Sequence, residues 1–167
     1  AAPSTASAAP AYPSAWDWRN AGGQNYVTPI KDQQNCGSCV AFGTAATLDV
    51  AVGIVKQLPI GASNAGTLQD VSEAALFYCG AAAGGFTCST GWYVSSALAY
   101  CTSPGVVPES AFPYTPGDQP CTVTSFAQAT TIGSSGVYTA ADDMKTYLSS
   151  TGPLIACFSV YEDFYSY

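Results

Sequence analysis

Between residues 38 and 58 the apolar positions fall on every side of a helix rather than on one stripe. Val40, Phe42, Leu48, Val52, Ile54, Val55 and Leu58 are joined by only two charges, Asp49 and Lys56. A helix apolar all round is a buried one, so this segment is expected to run through the middle of a core. Ser38 is placed to cap its start, while Gly53 weakens the helix slightly. A loop with Pro59, Gly61 and Gly66 should follow over 59–71. Ser72 then caps a second, short helix reaching about Tyr78. The Gly-rich stretch 80–91 reads as irregular. Val94, Ala97, Leu98 and Cys101 return to helical spacing, and the five prolines between 102 and 120 mark a loop.

After Cys121 the pattern changes. Segments 126–132, 136–139 and 154–160 have strand-like composition. Between them Thr139 should cap a helix with Asp142 and Asp143 in its first turn, ended by Gly152 and Pro153. A helical first part followed by β-rich material predicts an α+β chain of two lobes. Residues 1–15, made of Ala, Pro, Ser and Thr with one Tyr, read as an extended lead or the scar of a removed segment. Folded structure is expected from Trp16 onward, which gives three segments: 1–15 lead, 16–125 mainly helical lobe, 126–167 the start of a β-rich lobe.

Composition narrows what such a chain can do. Charged residues make up 9% of the 167 and the net charge is −7. The four basic residues, Arg19, Lys31, Lys56 and Lys145, cannot form a basic patch, which argues against nucleic acid and anionic membranes as partners. No apolar run approaches the ~18 residues of a membrane span, so none is expected. Seven cysteines in a low-charge, Ser/Thr-rich chain point to an oxidising compartment, and their odd number leaves at least one outside any intrachain bridge. There is no histidine, so no His-containing zinc site can form within the chain, no metal or other cofactor is expected, and a neutral base near pH 7 must come from elsewhere.

The run Pro29-Ile30-Lys31-Asp32-Gln33-Gln34-Asn35-Cys36-Gly37-Ser38-Cys39-Val40-Ala41-Phe42 carries the candidate chemistry. Cys39 falls on the first turn of the long helix, where unpaired backbone N–H groups favour a thiolate. Gln33, six residues earlier on a loop, could donate its side-chain amide toward the same point. With a backbone N–H near Cys39, that would make an oxyanion hole. Cys-Gly-Ser-Cys before an aromatic is also the nucleophile signature of the papain and cathepsin family of cysteine peptidases, which this sequence resembles with Val40 in the aromatic's place. The similarity continues in order: Trp16-Asp17-Trp18-Arg19, Val27 to Gln33, Val71-Ser72-Glu73 through Cys79, Cys88-Ser89-Thr90-Gly91-Trp92, Glu109 through Phe112-Pro113-Tyr114, and Gly152-Pro153 with Val160 to Phe164.

The resemblance implies a papain-like two-lobe fold, with the helical left lobe complete and the β-rich right lobe incomplete. It implies an endopeptidase in which Cys39 is acylated and Gln33 stabilises the oxyanion. Gly37 and Ser38 would lie on the substrate side. Gly91 would bond the substrate backbone, and Trp92 and Tyr93, approached by Cys157, would line the subsite for the second residue before the scissile bond. Cys36 would pair with Cys88 and Cys79 with Cys121, leaving Cys101 and Cys157 unassigned and unlinked to each other. The family's His and Asn lie ~130–150 residues after the nucleophile, so they would fall at roughly 169–189, beyond this sequence. The chain alone is therefore expected to be inactive, with a companion chain or C-terminal remainder supplying both residues. Its substrate would be peptide or protein, and its setting a secreted or lysosome-like acidic compartment, reached from a zymogen.

The same residues admit other readings. Cys36 and Cys39 could be a thioredoxin-like redox pair, but no βαβ pattern precedes them. Cys39 could be a structural half-cystine, and the whole chain could be a non-catalytic papain-like binding module. Asp142 and Asp143 read as a helix first turn rather than an acid/base pair.

Overall fold

The structure, a computed structural model, describes residues 12–61 and 70–166. Most of the expected N-terminal lead, residues 1–11, lies outside the described residues, as do Gly66 of the 59–71 loop and Tyr167. Helix α1 spans Cys39–Lys56. Its inward positions, Ala41, Thr44, Ala45, Leu48, Asp49 and Gly53, recur every three or four residues and are buried. Lys56 in the last turn faces the negative end of the helix dipole. Gln57 closes the helix in the left-handed region (φ 53°), with its own N–H and that of Leu58 returning to the carbonyls of the last turn.

Two expectations about this helix need correction. It is not buried all round: Gly43, Ala46 and Val55 face solvent, Val55 with 76% of its surface exposed. Among the described residues that side is open: a Cβ on Gly43 would meet nothing within 4 Å. By length and composition alone α1 is also apolar enough to cross a membrane, with 18 residues at a mean hydropathy of 1.6. The expectation that no segment would reach that threshold is therefore wrong. Within the fold, however, its inward side packs in a protein core and carries a buried carboxylate, Asp49, at its middle.

The second helical segment is a π-helix, Ala75–Ala81, longer and wider than the short α-helix expected. Ser72 does cap it, its hydroxyl accepting the Ala75 N–H at 2.9 Å. Every residue from Val71 to Cys79 is buried. Removing Leu76 and Phe77 from water contributes about 1.5–3 kcal/mol each. Helix α2, Val94–Thr102, carries Ala97 and Cys101 into the same core. A disulfide from Cys79 on the π-helix to Cys121 ties the following loop to the core. Helix α3, Ala141–Ser150, starts two residues after Thr139; Ala140 holds the cap position and no side chain caps it. Asp142 and Asp143 do lie in its first turn.

Among the described residues no β-ladder forms. Three isolated bridges occur, Ala21 with Gln24, Val71 with Pro108 and Val106 with Thr130. Among the described residues, the strand-like segments 136–139 and 154–160 have no bridge partner. A strand's hydrogen bonds lie between chains of backbone, so composition alone cannot make one. The second part is correspondingly open, with Val137, Phe158 and Tyr161 all more than two-thirds exposed.

Candidate active site

The loop that leads into α1 is fixed at both ends before it reaches Cys39. Lys31 extends its ammonium to Asp70 (2.7 Å) and to both oxygens of Glu73 (2.9 and 3.0 Å). Burial works against the Lys31 charge, but the hydrogen bonds to Asp70 and Glu73 outweigh it, and the lysine stays protonated well above its ordinary range. Glu73 is 3% exposed, so this pair is an internal anchor rather than a surface ion pair. Two residues on, the Gln33 amide donates to the Cys36 carbonyl at 2.8 Å. An amide NH2 carries two donors, so one remains for another acceptor.

At the other end, Cys36 is bridged to Cys88 and buried. The Gly37 N–H donates to the Cys88 carbonyl at 2.8 Å. A Cβ on Gly37 would stand 2.6 Å from that carbonyl oxygen, so the close approach requires glycine. The Cys88 N–H in turn donates to Asp118 Oδ1 at 2.7 Å. Gly91, in the left-handed region at φ 72°, closes the Thr87–Gly91 turn against the Gly37 carbonyl side.

Cys39 is the first residue of α1, exposed and unbridged. No acidic residue occupies the helix's first turn. Ser38 holds the cap position, but its hydroxyl makes no cap; it is fully buried and lies 2.9 Å from the Tyr114 phenol. Cys101 is a contrasting thiol: it is buried in α2, and burial pushes its pKa up to about 11, as expected of an inert core cysteine.

The fold thus brings Gln33, Cys36, Gly37, Ser38, Cys39, Cys88 and Gly91 into one connected constellation. Among the described residues Trp92, Tyr93 and Cys157 share no hydrogen bond or disulfide with it. Trp92 is 8% exposed, and its indole packs over Gly80 in the core. Tyr93 is 64% exposed and meets Phe86 edge to face at 5.4 Å. Cys157 is an exposed thiol on the extended segment 154–160, and no hydrogen bond or disulfide among the described residues ties it to the group. Sequence reasoning passed over Tyr114, whose phenol donates to the Gln33 carbonyl at 2.9 Å. The only signal for it was its place at the end of Phe112-Pro113-Tyr114.

The family model "Papain family cysteine protease" matches residues 12–167. This chain belongs to the papain family of cysteine proteases. Cysteine proteinase 2 of Entamoeba histolytica is 39% identical over 120 residues, covering 71% of this chain and 35% of that protein. Pro-cathepsin H of Mus musculus is 34% identical over 111 residues, covering 66% and 30%. Among solved structures, digestive procathepsin L 3 of the Tenebrio molitor larval midgut superposes with a TM-score of 0.55 at 29% identity, covering 69% of this chain and 33% of that one. Bromelain from Ananas comosus, in complex with the E64 inhibitor, gives 0.51 at 30%, covering 65% and 44%. The chain therefore spans about a third of the length of the curated relatives it matches. Its architecture is papain-like, with the helical left lobe in place and the right lobe incomplete.

Proposed function

We propose that Cys39 is the nucleophile of a thiol-dependent endopeptidase and attacks a peptide carbonyl to form an acyl-enzyme, with Gln33 as an oxyanion donor. The observation that carries this is the placement of one free, exposed thiol at the first residue of α1, beside a loop that holds the Gln33 amide. Gly37, Ser38 and Gly91 would present backbone to the substrate, and Tyr93, Trp92 and Cys157 would border its side chains. Residues 16–125 form the nucleophile-bearing lobe and 126–167 the start of the second. The two disulfides and the low charge fit a secreted or lysosome-like compartment.

The reaction needs more than this sequence holds. A helix start favours an anion by about 0.3–1 kcal/mol, up to ~2 when partly buried. Beyond that, no histidine is present to protonate the leaving amine. The His and Asn must come from a C-terminal remainder or a companion chain. The test is the rate of iodoacetamide labelling at Cys39 against pH, with and without a polypeptide carrying those residues, alongside cleavage of a dipeptidyl fluorogenic substrate. Expected are slow labelling and no cleavage for the 167 residues alone, and both restored together by the partner. Cleavage by the chain alone that is lost in Cys39→Ala would refute the mechanism. No turnover by the completed protein would favour a non-catalytic papain-like binding module.

A further inference from the structure

We infer that Tyr114 is a positioning residue for the Gln33 amide, its phenol fixing the loop that bears Gln33 against the start of the helix that bears Cys39. The inference rests on the proposed roles of Cys39 and Gln33. The Tyr114 hydroxyl donates to the Gln33 carbonyl at 2.9 Å across 81 residues of sequence, and it lies 2.9 Å from the Ser38 hydroxyl across 76. A phenol has one proton and a carbonyl can only accept, so across the 2.9 Å contact Ser38 is the donor into the phenol oxygen, with the Cys36 carbonyl at 3.4 Å as the longer alternative for the same proton. The relay therefore runs from Ser38 through Tyr114 to Gln33. Ser38 immediately precedes Cys39, so the phenol oxygen ties the backbone that bears the Gln33 amide to the start of the helix.

The phenol itself is held from several sides. Phe42 of α1 meets the Tyr114 ring edge-on at 4.8 Å, and Tyr78 of the π-helix stacks on it at 5.7 Å with planes 14° apart. The Tyr114 N–H donates to Glu109 Oε1 at 2.7 Å, the Glu109 N–H donates to the Asp70 carbonyl at 2.7 Å, and the Ser72 hydroxyl donates to the Phe112 carbonyl. The position of the phenol is thus inherited from the π-helix and its cap, not from freedom of its own side chain. Phenylalanine at 114 would keep every ring contact and lose only the relay.

The test uses the 167-residue chain and a peptide aldehyde labelled with carbon-13 at its carbonyl. The Cys39 thiolate sulfur bonds to the aldehyde carbon, the C=O π pair moves onto oxygen, and that oxygen takes a proton from water. The hemithioacetal oxygen lies where the Gln33 amide acts, whereas iodoacetamide alkylation of the same thiol develops no charge there. Tyr114→Phe and Gln33→Ala are each expected to weaken the adduct about 10-fold, less than the ~10²-fold that a lost or misplaced donor costs a charged transition state, because the adduct's oxygen ends protonated. Alkylation should stay within about two-fold, and the double variant should be no weaker than Gln33→Ala, since a positioning effect acts only through the group it positions. Wild-type affinity in Tyr114→Phe, effects that multiply in the double variant, or alkylation that falls in parallel would each overturn the inference. If the wild type forms no adduct while Cys39 still alkylates, the chain without its His does not report on the oxyanion site, and the proposed function is judged on the completed protein instead. The side-chain amide resonances of Gln33 then decide the inference, which stands if they shift in Tyr114→Phe and falls if they do not.

Discussion

Replacing Asp49 by asparagine should stabilise the protein at pH 8 and change little at pH 4. The Asp49 carboxyl is 1% exposed in the middle of α1 and, among the described residues, accepts a hydrogen bond from the Val71 N–H at 3.0 Å. Burial raises its pKa from 3.8 to about 7; the Val71 bond and the Lys31 charge oppose the rise, and Glu73 and Asp70 add to it. In the folded state the group holds its proton more tightly than in the unfolded chain. Its contribution is therefore neutral below about pH 4, where both states are protonated, and becomes increasingly unfavourable as pH rises toward 7. At 1.36 kcal/mol per pKa unit, a rise from 3.8 to about 7 corresponds to a cost of about 4 kcal/mol above pH 7. Asparagine cannot ionise, and its carbonyl oxygen still accepts from Val71. The expected gain is about 2–4 kcal/mol at pH 8 and within ~0.5 kcal/mol of zero at pH 4. Urea denaturation of both proteins at pH 4, 6 and 8 measures it. With an m-value of ~1–3 kcal/mol per molar, the pH 8 midpoint should rise by about 1–2 M. An equal shift at all three pH values, or a loss at pH 8, would show that the carboxylate is compensated in a way this reasoning misses.

Lys31→Met should destabilise by about 3–5 kcal/mol at pH 7, because Glu73 is left buried without its cation; the urea midpoint reads it, and restoring it with the further change Glu73→Gln would confirm the cause. Gly37→Ala should cost about 1–3 kcal/mol, since its Cβ would stand 2.6 Å from a backbone oxygen that cannot swing away; thermal unfolding with both disulfides intact checks it, and an unchanged midpoint would count against the close approach.

The helices were legible because their signals are local. A cysteine at a helix start, a serine before a buried run and apolar spacing over 94–101 are each contained within a few residues, and α1, the Ser72-capped helix and α2 followed. The pairing of Cys36 with Cys88 and of Cys79 with Cys121, as the structure has it, came only through the family resemblance, since spacing alone leaves many connectivities open. The π-helix was not legible: a fully buried run from Val71 to Cys79 shows no face against which a wider turn could be noticed. Nor could the sequence show that Ser38 turns its hydroxyl to Tyr114, a partner 76 residues away, instead of capping its own helix. Nor does the sequence show that the absence of a side chain at Gly80 makes room for the Trp92 indole.

The bridge beside the nucleophile has a practical consequence for anyone handling this protein. Cys36 and Cys39 form a Cys-x-x-Cys, yet they differ in access: Cys36 is 3% exposed and locked to Cys88, while Cys39 is open to solvent. Thiol exchange requires a thiolate to reach a disulfide sulfur. A mild reductant in the buffer can therefore strip oxidative caps from Cys39 and Cys157 while the bridge survives, and the working concentration has an upper bound as well as a lower one. Beyond that bound the same additive that wakes the sulfur would dismantle the loop that aims it.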